Sequence, residues 1–163
     1  MFREMRRIKQ EMPRSRCEDV LERGTSGILA VMGDEDYPYA VPLSYVYRDS
    51  KIYFHCAQNG HKLDAIAKNN KVSFCVIDQD VVVPEKYTTN YRSVIVFGRA
   101  RVLEGEEKKW ALLELALKYV PEGGEENRAA AEKELSRVCM VEIEVEHMTG
   151  KEGRTIVQKD IIL

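Results

Sequence analysis

Cysteine, tryptophan and proline are scarce in this 163-residue chain, with four, one and five residues respectively. Cys17, Cys56, Cys75 and Cys139 are scattered and form no C-x-x-C pair. Such spacing excludes a disulfide framework and suits a reducing, cytoplasmic compartment. No apolar run is long enough to cross a bilayer; Ser93 to Phe97 is among the longest. Arg3, Arg6, Arg7 and Lys9 make the N-terminus basic, but no apolar segment follows them, so no secretory signal is expected. Excess charge is missing as well, with 25 Lys+Arg against 27 Asp+Glu and a net charge of -2. A nucleic-acid binder would carry a basic excess or stripe, so neither nucleic acid nor membrane is an expected partner. What is present is 44% hydrophobic and 32% charged residues. That mixture buries a core and solvates a surface, in one domain at this length.

Along the chain, Ser15 and Glu18 have capping-box spacing and predict a helix from Ser15 to Arg23, stopped by Gly24. Gly27 to Met32 and Tyr39 to Tyr47 read as strands around a Gly33–Pro38 turn. Arg48-Asp49-Ser50 then leads into a Lys51–Cys56 strand, which suits a hairpin. Leu63, Ile66 and Ala67 repeat at helical spacing over residues 60–69. Val72 to Ile77 is another strand, and Asp78 to Asn90, polar and containing Pro84, reads as a loop. Ser93 to Leu103 is a long strand with Gly98 as a bulge or bend.

Trp110, Leu113, Leu117 and Val120 predict the core face of a helix over 106–120, and an Ala- and Glu-rich second helix covers 125–137. Cys139 to Val145 alternates as a half-buried strand, and a short apolar stretch ends the chain. No repeat, linker or βαβ alternation appears, so the class is mainly β (α+β): an antiparallel six-stranded barrel with peripheral helices. It occupies 1–163 as a single domain, with a helical arm over 1–24 and a helical insertion over 105–137.

The segment from Tyr39 to Lys68 carries most of the functional information. Pro42 lies within an apolar strand, and its missing N–H confines such a strand to an edge or bulge, where free main-chain groups can meet a ligand. Gly60-His61-Lys62 opens a helix, whose free amides together with a lysine suit a phosphate. A first-turn lysine is, on that signal alone, more often simply solvated. Phe54 and His55 must face opposite sides of their strand.

The order Val41-Pro42-Leu43-Ser44-Tyr45, Ile52-Tyr53-Phe54-His55-Cys56-Ala57, Gly60-His61-Lys62-Leu63-Asp64-Ala65-Ile66 and Tyr91 to Ala100 forms a series. It resembles the pyridoxamine-phosphate-oxidase-like family of FMN-binding split barrels, and within it the branch named for nitroimidazole-resistance flavoproteins. The resemblance runs from Gly27 to Lys151. It implies FMN as cofactor and a homodimer with FMN at the subunit interface. Val41, Pro42, Leu43 and Ser44 would lie beside the flavin ring, and His55 and Cys56 along the ribityl chain and ring edge. His61 and Lys62 would hold the phosphate, with Lys62 and the helix amides carrying most of the affinity. Ser93 would approach the flavin from the other subunit. The implied activity is reduction of a small electron-poor substrate by NAD(P)H, with His55 the candidate catalytic residue.

Departures from the family are informative. The true oxidases carry basic residues in the first flavin strand, where this chain has Ala40, Tyr45 or their neighbours. They also carry an Arg-x-His signature near the C-terminus; here His147 and Arg154 are too far apart to supply it. Oxidation of pyridoxamine phosphate is therefore not expected. His55, Cys56 and His61 have no fourth partner for zinc, so no metal is expected. Cys56 as a nucleophile would need a thiolate-stabilising neighbour, and the side chain of the adjacent His55 points to the other face. The alternatives are a non-catalytic FMN, deazaflavin or haem carrier of the same barrel fold, and a sensor or interaction module.

Overall fold

The computed structural model describes residues 1–154 and Ile156. A two-residue strand, β1 (Glu11–Met12), precedes helix α1 (Arg14–Arg23). Strands β2 (Ser26–Met32), β3 (Pro38–Ser44), β4 (Val46–Arg48) and β5 (Lys51–Ala57) follow, then helix α2 (His61–Lys68). Strands β6 (Lys71–Val83) and β7 (Thr88–Leu103) form a long hairpin. Helices α3 (Gly105–Tyr119) and α4 (Gly124–Glu134) lead into β8 (Val138–Glu152). All pairing is antiparallel, in the order β3-β2-β6-β7-β8-β5-β4, with β1 added on β8. Six of these strands are long; β1 and β4 have only two and three residues.

Four sequence expectations need correction. Tyr39 to Tyr47 is not one strand but two, because the chain turns at Tyr45: β3 pairs with β2, whereas β4 pairs with β5. The Ser15 capping box does not form. Pro13 holds the N-cap, its carbonyl accepting the Cys17 amide, and Glu18 instead accepts from Arg14 at 2.9 Å. The Asp78–Asn90 loop is largely strand, since β6 and β7 stay paired out to Val83 and Thr88, with Pro84 placed in the tip. Finally, α3 buries Ala111, Leu112 and Leu115, while Trp110 is 42% exposed and rests edge-on against Tyr53. α3 is apolar on several sides, and the face it turns to the sheet is the one with Ala111, fully buried in the second cluster. The terminal apolar stretch lies outside the described residues apart from Ile156.

The expected bulge is present at Gly98. Phe97 faces His147 and Gly98 faces Val145, so Glu146 is the extra residue. A Cβ at Gly98 would sit 2.2 Å from the Glu144 carbonyl oxygen, which explains the glycine. The sheet curls around a core that includes Leu29, Ile52, Phe54, Phe74, Val96 and Ile143, with Cys17, Val20 and Leu21 of α1 plugging it. A second cluster lies between the other face of the sheet and α3–α4, built on Val46, Tyr53, Leu103 and Met140.

Tyr45 joins the two ends of this sheet. It is fully buried and stacks edge-on against Phe74 at 5.0 Å. Its hydroxyl donates to the Leu21 carbonyl at 2.8 Å, and its amide donates to the Tyr119 hydroxyl at 3.2 Å. Lys118 lies over its ring, 4.2 Å from the centroid. Tyr45→Ala removes all the ring contacts at once and is expected to cost about 4 kcal/mol of stability. Urea unfolding with an unchanged m-value would measure this; a loss below about 1 kcal/mol would show the corner to be dispensable.

Candidate functional site

The sheet's first and last strands are consecutive in the chain, so Tyr45 closes the barrel at one corner without a hydrogen-bonded ladder. Away from that corner the barrel is split. β3 pairs only with β2, and β4 covers only Lys51, Ile52 and Tyr53 of β5. From Phe54 to Ala57, β5 pairs only with β8. Two strand edges, Val41–Ser44 and His55–Ala57, therefore border the opening with main-chain groups that no other strand satisfies. Pro42 on an edge strand is what its missing N–H requires.

Side chains divide at this seam by strand alternation. Val41, Leu43 and Cys56 are half-buried against the barrel core, whereas Pro42, Ser44 and His55 point outward. Burial pushes the Cys56 thiol up to about 11, and the neighbouring Cys139 adds to the effect. Cys56 is thus a small packing residue. His55 and Ser44 share a groove of about 330 Å³ beneath α3 and α4. Its walls are Leu112, Leu115, Ala116, Val120, Ala131 and Val138, and its polar positions include Tyr119 and Glu134. A concave, mainly apolar site with a few polar groups suits a small molecule.

At the end of β5 the chain reverses into α2. Gly60 is the N-cap, with a φ of 138° and open space around the position of a Cβ. The amides of His61 and Lys62 open the helix and lack intrahelical acceptors. Lys62 is half-buried beside Cys56, where its charge favours the thiolate, and it makes no ion pair among the described residues. His61 is differently placed. Its Nε2 accepts the Asp34 amide at 3.3 Å, and its ring stacks on Tyr39 of β3 at 4.3 Å. Asp34 is held below the usual carboxylate range chiefly by Lys68, 3.1 Å away. His61 therefore bridges α2 to the β2–β3 turn, and Lys62 is left as the free cation.

Val41 to Ser44, His55 and Cys56 thus border one opening, with His61 and Lys62 on the helix that follows it. Ser93 does not join them: it lies on β7 between Ile77 and Lys151. Sequence reasoning missed the groove wall on α3–α4 and the Tyr45–Tyr119 contact. Ala116, Ala130 and Ala131 carry no signal that separates a groove lining from ordinary helix packing. Among the described residues no group of three or more His, Cys, Asp or Glu side chains could hold a metal ion, and no helix is long and apolar enough to cross a membrane.

A curled antiparallel sheet, joined at one corner and open along the facing edges, defines a split β-barrel. The chain belongs to the pyridoxamine 5'-phosphate oxidase family, whose model matches residues 13–152. Solved structures share the fold. A Bacteroides thetaiotaomicron protein described as a candidate 5-nitroimidazole antibiotic resistance protein superposes with a TM-score of 0.72 at 21% identity, covering 87% of this chain and 86% of that one. The FAD and haem binding protein of Mycobacterium smegmatis gives 0.77 at 22% identity, covering 90% and 74%. A conserved hypothetical protein of Mycobacterium tuberculosis gives 0.81 at 18% identity, covering 94% and 93%. No curated protein matches the sequence significantly.

Proposed function

We propose that the chain is an FMN-binding oxidoreductase that reduces a small electron-poor molecule, working as a homodimer with the flavin at the seam. The observation that carries this reading is the pair of unsatisfied strand edges, Val41–Ser44 and His55–Ala57, with an unpaired lysine on the helix beyond one of them. The donor set fits the group. A flavin ring edge offers alternating hydrogen-bond donors and acceptors, which strand edges complement, and the phosphate suits Lys62 with the first amides of α2. The flavin-binding neighbours of the same fold, from Mycobacterium smegmatis and Mesorhizobium loti, support the cofactor class.

Bound FMN would supply the redox chemistry between NAD(P)H and an acceptor such as a nitro compound. The chain's own residues bind and orient. Val41 and Leu43 anchor β3 in the core, so that its outer edge is held rigid. Lys62 and the α2 amides fix the phosphate, and Gly60 leaves room for it. Ser93 would come from the partner subunit. His55 offers a hydrogen bond to a substrate oxygen and a proton to it as negative charge develops. The apolar groove walls lie beside that contact.

Lys62→Ala is expected to weaken FMN about a hundredfold while leaving riboflavin, which has no phosphate, nearly unchanged. Fluorescence titration with both ligands measures this, and equal losses would show Lys62 to be an ordinary surface residue. His55→Ala should bind FMN as tightly as the wild type yet slow reoxidation of the reduced flavin by a nitroaromatic acceptor about a hundredfold. An unchanged stopped-flow rate would move the acceptor site away from His55. A flavin that is never reduced by NAD(P)H, or a haem spectrum in the protein as isolated, would favour the carrier alternative.

A further inference from the structure

The four cysteines are far apart in the sequence, but the sheet sets two of them face to face. Cys56 of β5 and Cys139 of β8 are direct register partners, so their side chains share one face of the sheet. Both are half-buried against the rim of the main core, and their thiols are close enough for a hydrogen bond. The other two cysteines have no cysteine opposite them. Cys17 is buried beside Met12, and Cys75 pairs with Ile28 and Ile95.

The phase of the ladder fixes the spacing. The Val145 amide donates to the Ser50 carbonyl at 3.2 Å, in the same register that runs on to Cys56 and Cys139. Hydrogen-bonded and non-hydrogen-bonded pairs alternate, which makes Cys56–Cys139 a hydrogen-bonded pair with Cα atoms about 5.5 Å apart. A disulfide most often spans about 5.5–6 Å between Cα atoms. Its Cβ atoms need to sit about 1 Å closer than in an ordinary cross-strand pair, so the strands must close up slightly. They are free to do so here. β4 leaves β5 at Tyr53, and β7 leaves β8 at Met140, so at this step neither strand has a second neighbour.

We propose that Cys56 and Cys139 form a reversible dithiol–disulfide site, oxidised by a small-molecule disulfide that enters beside Cys139. Cys139 borders an open hollow of about 290 Å³ with Gln58, Gly105 and Lys108, which gives a reagent room to approach. The Cys139 thiolate attacks one sulfur of the reagent, breaks its S–S bond, expels one small thiolate and becomes a mixed disulfide. Cys56 then gives its proton to that thiolate and attacks the Cys139 sulfur, expelling the second small thiol. Two protein thiols are thereby oxidised by two electrons, and one small disulfide is reduced to two thiols. Burial chiefly, with Cys139 adding to it, pushes the Cys56 thiol up to about 11. That makes it a poor first attacker and leaves it the second step, where its target is already in contact. Lys62 beside it favours the thiolate needed at that moment. In the reduced state Cys56 packs against the core; in the oxidised state the open end of β5 is tied covalently to β8. The site stands on the strand register and is independent of what occupies the seam.

The test is incubation of the folded protein with oxidised glutathione at about pH 8, where ordinary thiols begin to ionise. Free thiols are counted, and a non-reducing digest is mapped by mass spectrometry. The wild type is expected to lose two of its four thiols, to gain a Cys56–Cys139 link, and to recover both thiols with dithiothreitol. Four thiols retained, a link through Cys17 or Cys75, or a reaction that halts at a glutathione adduct overturns the site. Unreacted Cys17 shows that the chain stayed folded, so the wild-type result needs no variant. Cys56→Ser is expected to accumulate the glutathione adduct on Cys139, and Cys139→Ser to consume the reagent about tenfold more slowly. A Cys56→Ser protein whose Cys139 stays unmodified overturns Cys139 as the attacking thiol.

Discussion

A curled sheet must either close its hydrogen-bond ladder or leave two edges exposed, and in this chain a single buried tyrosine decides which. Tyr45 sits between the strands at opposite ends of the sheet and turns the chain from one edge to the other. Phe74, the Leu21 carbonyl, Tyr119 and Lys118 hold it from different sides. Gly24 is part of the same arrangement, since a Cβ there would meet the Tyr45 hydroxyl at 2.5 Å. With the corner locked, β3 and β5 diverge from it and cannot complete the ladder. The Tyr119 hydroxyl also donates to the Thr25 carbonyl, so the end of α3 is pinned to the same corner. The helical hairpin that walls the groove is thereby positioned by the residue that opens the seam.

Exposed strand edges carry a cost, because their amides and carbonyls invite pairing with another chain. Proteins usually blunt such edges with proline, charge or short strands. β3 carries Pro38 and Pro42, and β4 ends after three residues. β5 is not blunted: its unpaired stretch runs through His55 and Cys56 into the glycine that opens α2. An edge left free beside an unpaired lysine and a groove of small-molecule size is better explained by a bound ligand than by packing alone. On the function proposed above, the cation, the strand edges and the groove would serve three chemically different parts of one occupant and its substrate.

Much of this was legible because the signals were local. Pro42 marked an edge, Phe54 and His55 had to face apart, and Gly60-His61-Lys62 announced a helix start. Gly98 marked a bulge that the β8 register confirms. What escaped depended on distant partners. Tyr45 looks like one more residue in an apolar strand until Phe74 and Tyr119 are placed around it. The Asp78–Asn90 segment reads as a loop because its three consecutive valines are flanked by Asp80 and Pro84, and its strand pairing is set by the opposing Thr88–Arg92. The second helix turn of α2 shows the same limit on a smaller scale, with Ala65 buried and Ala67, expected inside, exposed. His61, expected at the phosphate, also accepts the Asp34 amide at its Nε2 across the β2–β3 turn, a contact that no spacing rule supplies.

The central claim is that the free edges of β3 and β5 are satisfied by a flavin. Amide hydrogen exchange with and without saturating FMN tests it most directly. The account predicts slowed exchange concentrated in Val41–Ser44, His55–Ala57 and the first residues of α2, with the β6–β8 ladder little changed. Slowing confined to other strands, or none at all while FMN is demonstrably bound, would contradict it and place the ligand elsewhere.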